Sequence, residues 1–154
     1  MDYWQKLRQV LGHDTIILPA AAGAIIKDDK ILLLRHGQLK KWHIPGGLQE
    51  VGETIQATVQ REIKEELGLD LEVGDLISVY SGARWLTEYP NGDKVQQLMF
   101  FFQMHGKIGD LRLQEEEVTD YQFVRLDEIP EDTMPCCKQK VLDLIEYKGK
   151  TVFR

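Results

Sequence analysis

The chain has 154 residues, 43% of them hydrophobic and 29% charged, and a net charge of −6. That length allows one domain with one real core. The acidic balance disfavours nonspecific binding to a nucleic acid backbone, so an anionic substrate would need metal and local cations to enter. Cys136 and Cys137 are the only cysteines and, being adjacent, make no disulfide framework. With no apolar signal core at the N-terminus, this reads as a reducing, cytoplasmic setting. The longest apolar run, Ile16 to Ile26, is broken by Pro19 and is too short to span a bilayer. No DNA or membrane partner is expected, and a homodimer is left open.

Residues 1–11 predict a short amphipathic helix with Trp4, Leu7 and Leu11 on one side, ended by Gly12 and packed on the domain for stability. Ile16 to Lys27 reads as a strand bent around Pro19 to Gly23. Asp28-Asp29 turns it, and Lys30 to Arg35 returns as the second strand of a hairpin. The unbroken run Ile31 to Leu34 predicts a strand covered on both faces. Arg35, at its end, is a candidate for a phosphate contact because a guanidinium suits bidentate binding of phosphate oxygens. Lys40 and Lys41 lie in a loop where they could steer an anion. His43 has no second His or Cys at ligand spacing and reads as structural or surface.

The stretch GLQEVGETIQATVQREIKEELGL, Gly47–Leu69, organises the rest. Pro45, Gly46, Gly47 and Gly52 exclude regular structure before it. A helix then starts near Thr54, capped by Glu53 or Thr54, and Gly68 stands where a left-handed C-terminal cap belongs. Ile55, Val59, Ile63 and Leu67 form its apolar stripe. Glu62, Glu65 and Glu66 converge on an arc that borders the stripe, because Glu66 lies seven residues from Val59. At about 6 Å and an effective dielectric near 20, each like-charge pair costs roughly 3 kcal/mol. Arg61 and Lys64 are the helix's only cations. A divalent cation would relieve the repulsion, and hard oxygen ligands suit Mg²⁺ or Mn²⁺ rather than zinc.

These residues resemble the Nudix box, G-x5-E-x7-R-E-U-x-E-E-x-G-U, where U is a bulky aliphatic. Gly47, Glu53, Arg61, Glu62, Ile63, Glu65, Glu66, Gly68 and Leu69 fill every specified position. Trp42 to Gly47 resembles the W-x-x-P-G-G that commonly precedes the box. The resemblance to this MutT-like hydrolase family implies an α+β fold, an α/β/α sandwich with a central mixed sheet between helices. It also implies that the Gly46 carbonyl, Glu62, Glu65 and Glu66 ligate metal, and that Glu53 pairs with Arg61 to position the helix.

Beyond the box, Leu71 to Tyr80 reads as strand around a Gly74-Asp75 turn. Asn91-Gly92 signals a hairpin, with Val95 to His105 as the returning strand. Phe100, Phe101 and Phe102 suit a doubly covered strand rather than base stacking. Trp85 and Tyr89 flank the turn and, with Arg84, are the candidates for substrate contact, with core or rim packing as the other reading of the two rings. Leu111 to Leu113 predicts a short strand. Family members often carry a loop glutamate before the next strand, Tyr121 to Leu126. Glu116 or Glu117 could be that acid, with Glu116 preferred. Residues 135–147 predict a last helix, with Cys137, Val141, Leu144 and Ile145 on one face, packed opposite the box helix.

The chemistry implied is hydrolysis of a nucleoside diphosphate linked to another moiety, such as a (d)NTP, ADP-ribose or a nucleotide sugar. Mg²⁺ or Mn²⁺ would be required, and Glu65, Glu66 or Glu116 would take the proton of the attacking water. The alternative is a non-catalytic nucleotide-binding sensor, but degenerate members lose box glutamates and this chain keeps them all. An isomerase relative would need a cysteine before the box, and none is present.

Overall fold

The computed structural model describes residues 1–154. Two sheets are built from ten strands. The mixed sheet follows the path β10 (Val152–Phe153), β6 (Glu72–Tyr80), β8 (Lys94–His105), β1 (Ile16–Ala24) and β5 (Gly46–Leu48), with β7 (Leu86–Glu88) also on β8. In it β8 runs parallel to β1 and antiparallel to β6. The second sheet is antiparallel and joins β2 (Ile26–Lys27), β3 (Lys30–His36), β4 (Trp42–His43) and β9 (Val118–Arg125).

The expected hairpin closes only at its tip. Ile26 pairs with Ile31 and Lys27 with Lys30, through a turn in which Asp28 and Asp29 take φ of 51° and 58°. The longer stretch Ile16–Ala24 leaves for the mixed sheet. Its small residues explain why it can lie at the centre. Ala20, Ala22 and Ala24 face one core and Ala21 the other, all 3% exposed or less. β3 divides in the same way. Ile31 and Leu33 join the first core, Leu32 and Leu34 the second. The continuous apolar run therefore marks a strand covered on both sides, and Phe101 and Phe102 split across the two cores likewise.

Each core has its own helix. α2 (Ile55–Leu67) lays Val59, Ile63 and Leu67 against Ala21, Ile25 and Phe102. Thr54 Oγ1 accepts from Ala57 N–H at 3.1 Å at its start, and Gly68, at φ 71°, ends it. α3 (Pro135–Glu146) sends Cys137 and Val141 into the opposite core, as expected. Leu144 packs there as expected, but Ile145 departs from that expectation: it is 52% exposed, and Tyr147 packs on the core in its place. α1 (Tyr3–Leu11) rests Trp4 and Leu7 on Ile16, Leu18 and Val95, while Leu11 turns outward.

Two further expectations give way. The Gly74-Asp75 turn is a bulge inside one continuous strand, where the register against β8 shifts between Val73 and Leu76. Residues 111–113 form no strand, because Arg112 N–H donates to Leu67 O at 2.8 Å and Gln114 N–H to Glu66 O at 3.1 Å. Those donors satisfy the last carbonyls of α2 instead of a ladder. This docks the following acidic loop against the box helix. No helix is long and apolar enough to cross a membrane.

Candidate active site

A cleft of about 450 Å³ opens between the acidic arc of α2, the turn before it, the loop holding Glu116 and Glu117, α1, and the first turns of α3. Its geometry begins at Gly46. A Cβ there would fall 2.2 Å from the Ala21 carbonyl oxygen, and φ is 151°, so only glycine lets β5 press this closely on β1. The Gly46 N–H then donates to Glu66 Oε2 at 3.0 Å. Glu66 is 4% exposed. Burial, and next the charge of Glu62, push its carboxyl well above the usual carboxylate range against the pull of that bond. Glu62 lies against Gly47, where a Cβ would come 2.4 Å from its carboxyl carbon. Burial raises the Glu62 pKa to about 7, although Arg61 opposes the rise.

Arg61 is the hub of the box. Its Nε donates to Glu53 Oε1 at 2.5 Å and one terminal nitrogen to Glu53 Oε2 at 3.1 Å. That same nitrogen donates to Leu48 O at 2.9 Å. The other terminal nitrogen reaches Glu62 Oε1 at 2.9 Å and Glu65 Oε2 at 3.1 Å. The bond from Arg61 pulls Glu53 down to about 2, helped by donors from Glu50 N–H and Thr58 Oγ1. Every Glu53 oxygen is thus engaged in tying the loop to the helix. From sequence the box acids stand nearly unopposed. In the structure Arg61 already neutralises part of the repulsion, and Glu66 is the box acid it does not touch.

The loop acids both line the cleft. Gly37 N–H donates to Glu117 O at 2.8 Å, which ties the loop to the end of β3. The charge of Glu117 contributes to the upward shifts at Glu62 and Glu66. Its own carboxyl is raised by burial and then by Glu65. Glu117 therefore shares the electrostatics of the box acids, whereas the sequence reading preferred Glu116.

Of the four residues suggested for substrate contact, Tyr89 alone lines the cleft. Arg35 is paired with Asp132 and stacked over Trp42 at 5.3 Å, away from it. Trp85 is 8% exposed and meets the Tyr80 ring edge-on at 5.0 Å in the core, with the exposed Arg84 stacked at 4.7 Å. The short helical turn at Ala83–Trp85 leads straight into β7 and so drives this indole inward.

Several cleft residues escaped the sequence reading. Trp4 and Arg8 reach it from α1, His36 and His43 from the second sheet, and Lys140 from α3. The one available signal was spacing: Trp4 and Arg8, like Cys136 and Lys140, stand four apart on a helix. His43 Nδ1 meets Ile44 O at 3.0 Å, while Nε2 is buried without a partner. Burial lowers its pKa to about 4, which leaves the ring neutral near pH 7.

No three of the acids stand at the mutual spacing of a closed metal site. The donor chemistry nevertheless fits a hard divalent cation. Glu62, Glu65, Glu66, Glu117 and the Gly46 carbonyl offer only oxygen, and burial with mutual repulsion makes the anionic forms of Glu62, Glu66 and Glu117 costly until positive charge arrives.

Comparison with known proteins bears on the family and the fold. The NUDIX domain family matches residues 17–145. An ADP-ribose pyrophosphatase of Methanocaldococcus jannaschii is 34% identical over 130 residues, covering 81% of this chain and 73% of the relative. An NAD-capped RNA hydrolase NudC of Mannheimia succiniciproducens is 31% identical over 120 residues; the match takes in 73% of this chain but 41% of that longer protein. Among solved structures, a MutT NUDIX hydrolase from Burkholderia pseudomallei superposes with a TM-score of 0.71 at 23% identity, over 84% of this chain and 98% of that one. The fold, the filled box and the family match over residues 17–145 converge: the chain belongs to the Nudix family.

Proposed function

We propose that this Nudix pyrophosphohydrolase cleaves the pyrophosphate linkage of a nucleoside diphosphate joined to another moiety, with Mg²⁺ or Mn²⁺ as cofactor. One observation carries the reading. Glu66 is buried and Glu62 partly so, the anionic forms of both are destabilised, and both face a cleft large enough for a nucleotide.

The Gly46 carbonyl, Glu62, Glu65 and Glu66 would hold the ion. When bound, it supplies neutralisation of phosphate charge and a lowered pKa for water. The chain's own residues do the rest. The Gly46 N–H fixes the Glu66 carboxylate in place. Glu53 and Arg61 hold the loop against the helix. Glu65, half exposed, Glu66 or the loop acid accepts the proton of the attacking water, and Glu117 is our preference over Glu116 for that loop acid. A bond forms from water oxygen to phosphorus, the bridging phosphorus–oxygen bond breaks, and the freed phosphate leaves with the bridging oxygen.

A (d)NTP, ADP-ribose and a nucleotide sugar are the candidate substrates. The relatives named ADP-ribose pyrophosphatase and NAD-capped RNA hydrolase support including ADP-ribose and NADH. The test is a panel of these compounds with Mg²⁺ or Mn²⁺, products resolved by chromatography. Turnover that vanishes in Glu66→Gln is expected. Nucleotide binding without turnover would favour the non-catalytic alternative.

A further inference from the structure

At the α3 end of the cleft stands a lysine whose ammonium bonds to no oxygen of the chain. Lys140 is 1% exposed and lines the cleft, yet no carboxylate or carbonyl in the chain accepts from its ammonium. Its Nζ lies over the Tyr80 ring, 4.9 Å from the centroid, and after the bond from Cys137 its charge helps hold the Cys136 thiol below the usual range. The Tyr80 hydroxyl is spent on Asp143, and Asp143 is paired with Arg154, so neither offers Lys140 an acceptor. Its N–H donors remain available to an acceptor arriving in the cleft.

The walls at this end say what arrives. Met99, Ile44 and Cys137 belong to the core beneath, and Met134 and Cys136 pack on it. Tyr89 stands opposite, its ring 6.3 Å from that of His36, which meets His43 edge-on at 5.5 Å. Sulfur, aliphatic and aromatic surfaces suit a flat ring far better than a second phosphate. His43 adds a direction. With Nδ1 turned to the Ile44 carbonyl, Nε2 is left as a bare acceptor in the same cleft.

We propose that this end of the cleft is a nucleobase pocket in which Lys140 Nζ donates to an exocyclic carbonyl oxygen and His43 Nε2 accepts the adjacent ring N–H. This selects bases with a lactam or imide edge, such as hypoxanthine, guanine or uracil, over adenine. In the same pose adenine would set its amino N–H against the ammonium and a bare ring nitrogen against Nε2. Each mismatch leaves a buried group unsatisfied, and sites of this kind discriminate strongly. The inference rests on the nucleotide reading above and narrows it away from adenosine.

The test compares the α,β-methylene diphosphates of inosine and adenosine by titration calorimetry, because they differ at the purine edge and resist hydrolysis. Wild-type protein binds the inosine compound at least about 10-fold more tightly, the range of a hydrogen bond to a charged group. Lys140→Met reduces that ratio to near one, leaves the affinity for the adenosine compound within about threefold, and melts like the wild type. A wild-type ratio of one or below overturns the proposal whatever the variant does. So does a ratio that survives in Lys140→Met, an equal loss for both ligands, which would mark a phosphate contact, or no binding of either. The hydrolysis panel separates the two ideas. Turnover with no preference for oxo bases sinks the pocket alone, while preferential binding without turnover sinks the hydrolase reading and leaves the pocket standing.

Discussion

Glu62 and Glu66 owe their behaviour to where the backbone lets them go. Gly47 leaves space for one carboxylate and Gly46 N–H tethers the other, and both sit in surroundings that resist ionisation. The sign of the pH effect follows. Glu62 has a folded pKa of about 7, above its ordinary 4.5. Its contribution to stability is full below about 4.5 and is lost as pH climbs through 7. Metal-free protein should therefore melt lower at pH 8 than at pH 5 on account of this group, by an order of about 3 kcal/mol. Glu62→Gln should flatten the slope, and Mg²⁺ should raise the melting temperature more at pH 8 than at pH 5. Thermal melts across that range check all three, and an unaltered slope in the variant would remove Glu62 as the source. Glu66→Gln should keep the fold, since an amide oxygen can still accept from Gly46 N–H. It should lose about 10²-fold or more in kcat, measured by steady-state phosphate release. These carboxylates were legible in the sequence because spacing alone places them on one arc. Their burial was less so, since it depends on strands remote in sequence. Arg35 and Trp85 mark the limit: chemistry suited both to substrate, but Asp132 and the Tyr80 ring take them first.

At the scale of elements, α2 and the loop before it behave as one unit because Arg61 spans Glu53, Leu48 O, Glu62 and Glu65. Arg61→Ala removes every one of these bonds and leaves Glu53 with fewer donors. We expect a loss of about 2–3 kcal/mol in chemical denaturation, together with a drop in kcat, since the acids lose their register. An unchanged midpoint would mean that the loop is held by backbone contacts alone. The helix itself was readable from its caps and stripe. The sheet partners were not. Nothing local in Ile16–Ala24 says that it pairs with β8 in parallel rather than with β3, since the alternation of two buried faces suits either partner. Residues 111–113 failed for a related reason. Their apolar pattern suits a strand, but the carbonyls that meet them belong to the end of a helix.

Over the whole molecule, the cleft draws on both sheets and on all three helices. Arg8 fixes the roof. Its guanidinium donates to Gly12 O at 3.0 Å, Asp14 O at 2.6 Å and Lys94 O at 2.6 Å, clamping α1 to the start of β8. Arg8→Ala should loosen α1, speed its amide exchange, and raise KM by about 10-fold while kcat stays within about twofold. A fall in kcat at constant KM would instead place Arg8 in the chemical step. The central pairing has another outcome, in time rather than in space. Ile16 lies beside Val95 and Ala24 beside Gln103, partners roughly 80 residues apart whose union carries a heavy loop-closure penalty. The shelf that receives Gly46 is the inner edge of that pair. The acids of α2 can be helical early, but they gain their tether only after β8 has docked. Catalytic competence should thus emerge in the slowest phase of refolding, behind the recovery of helical signal.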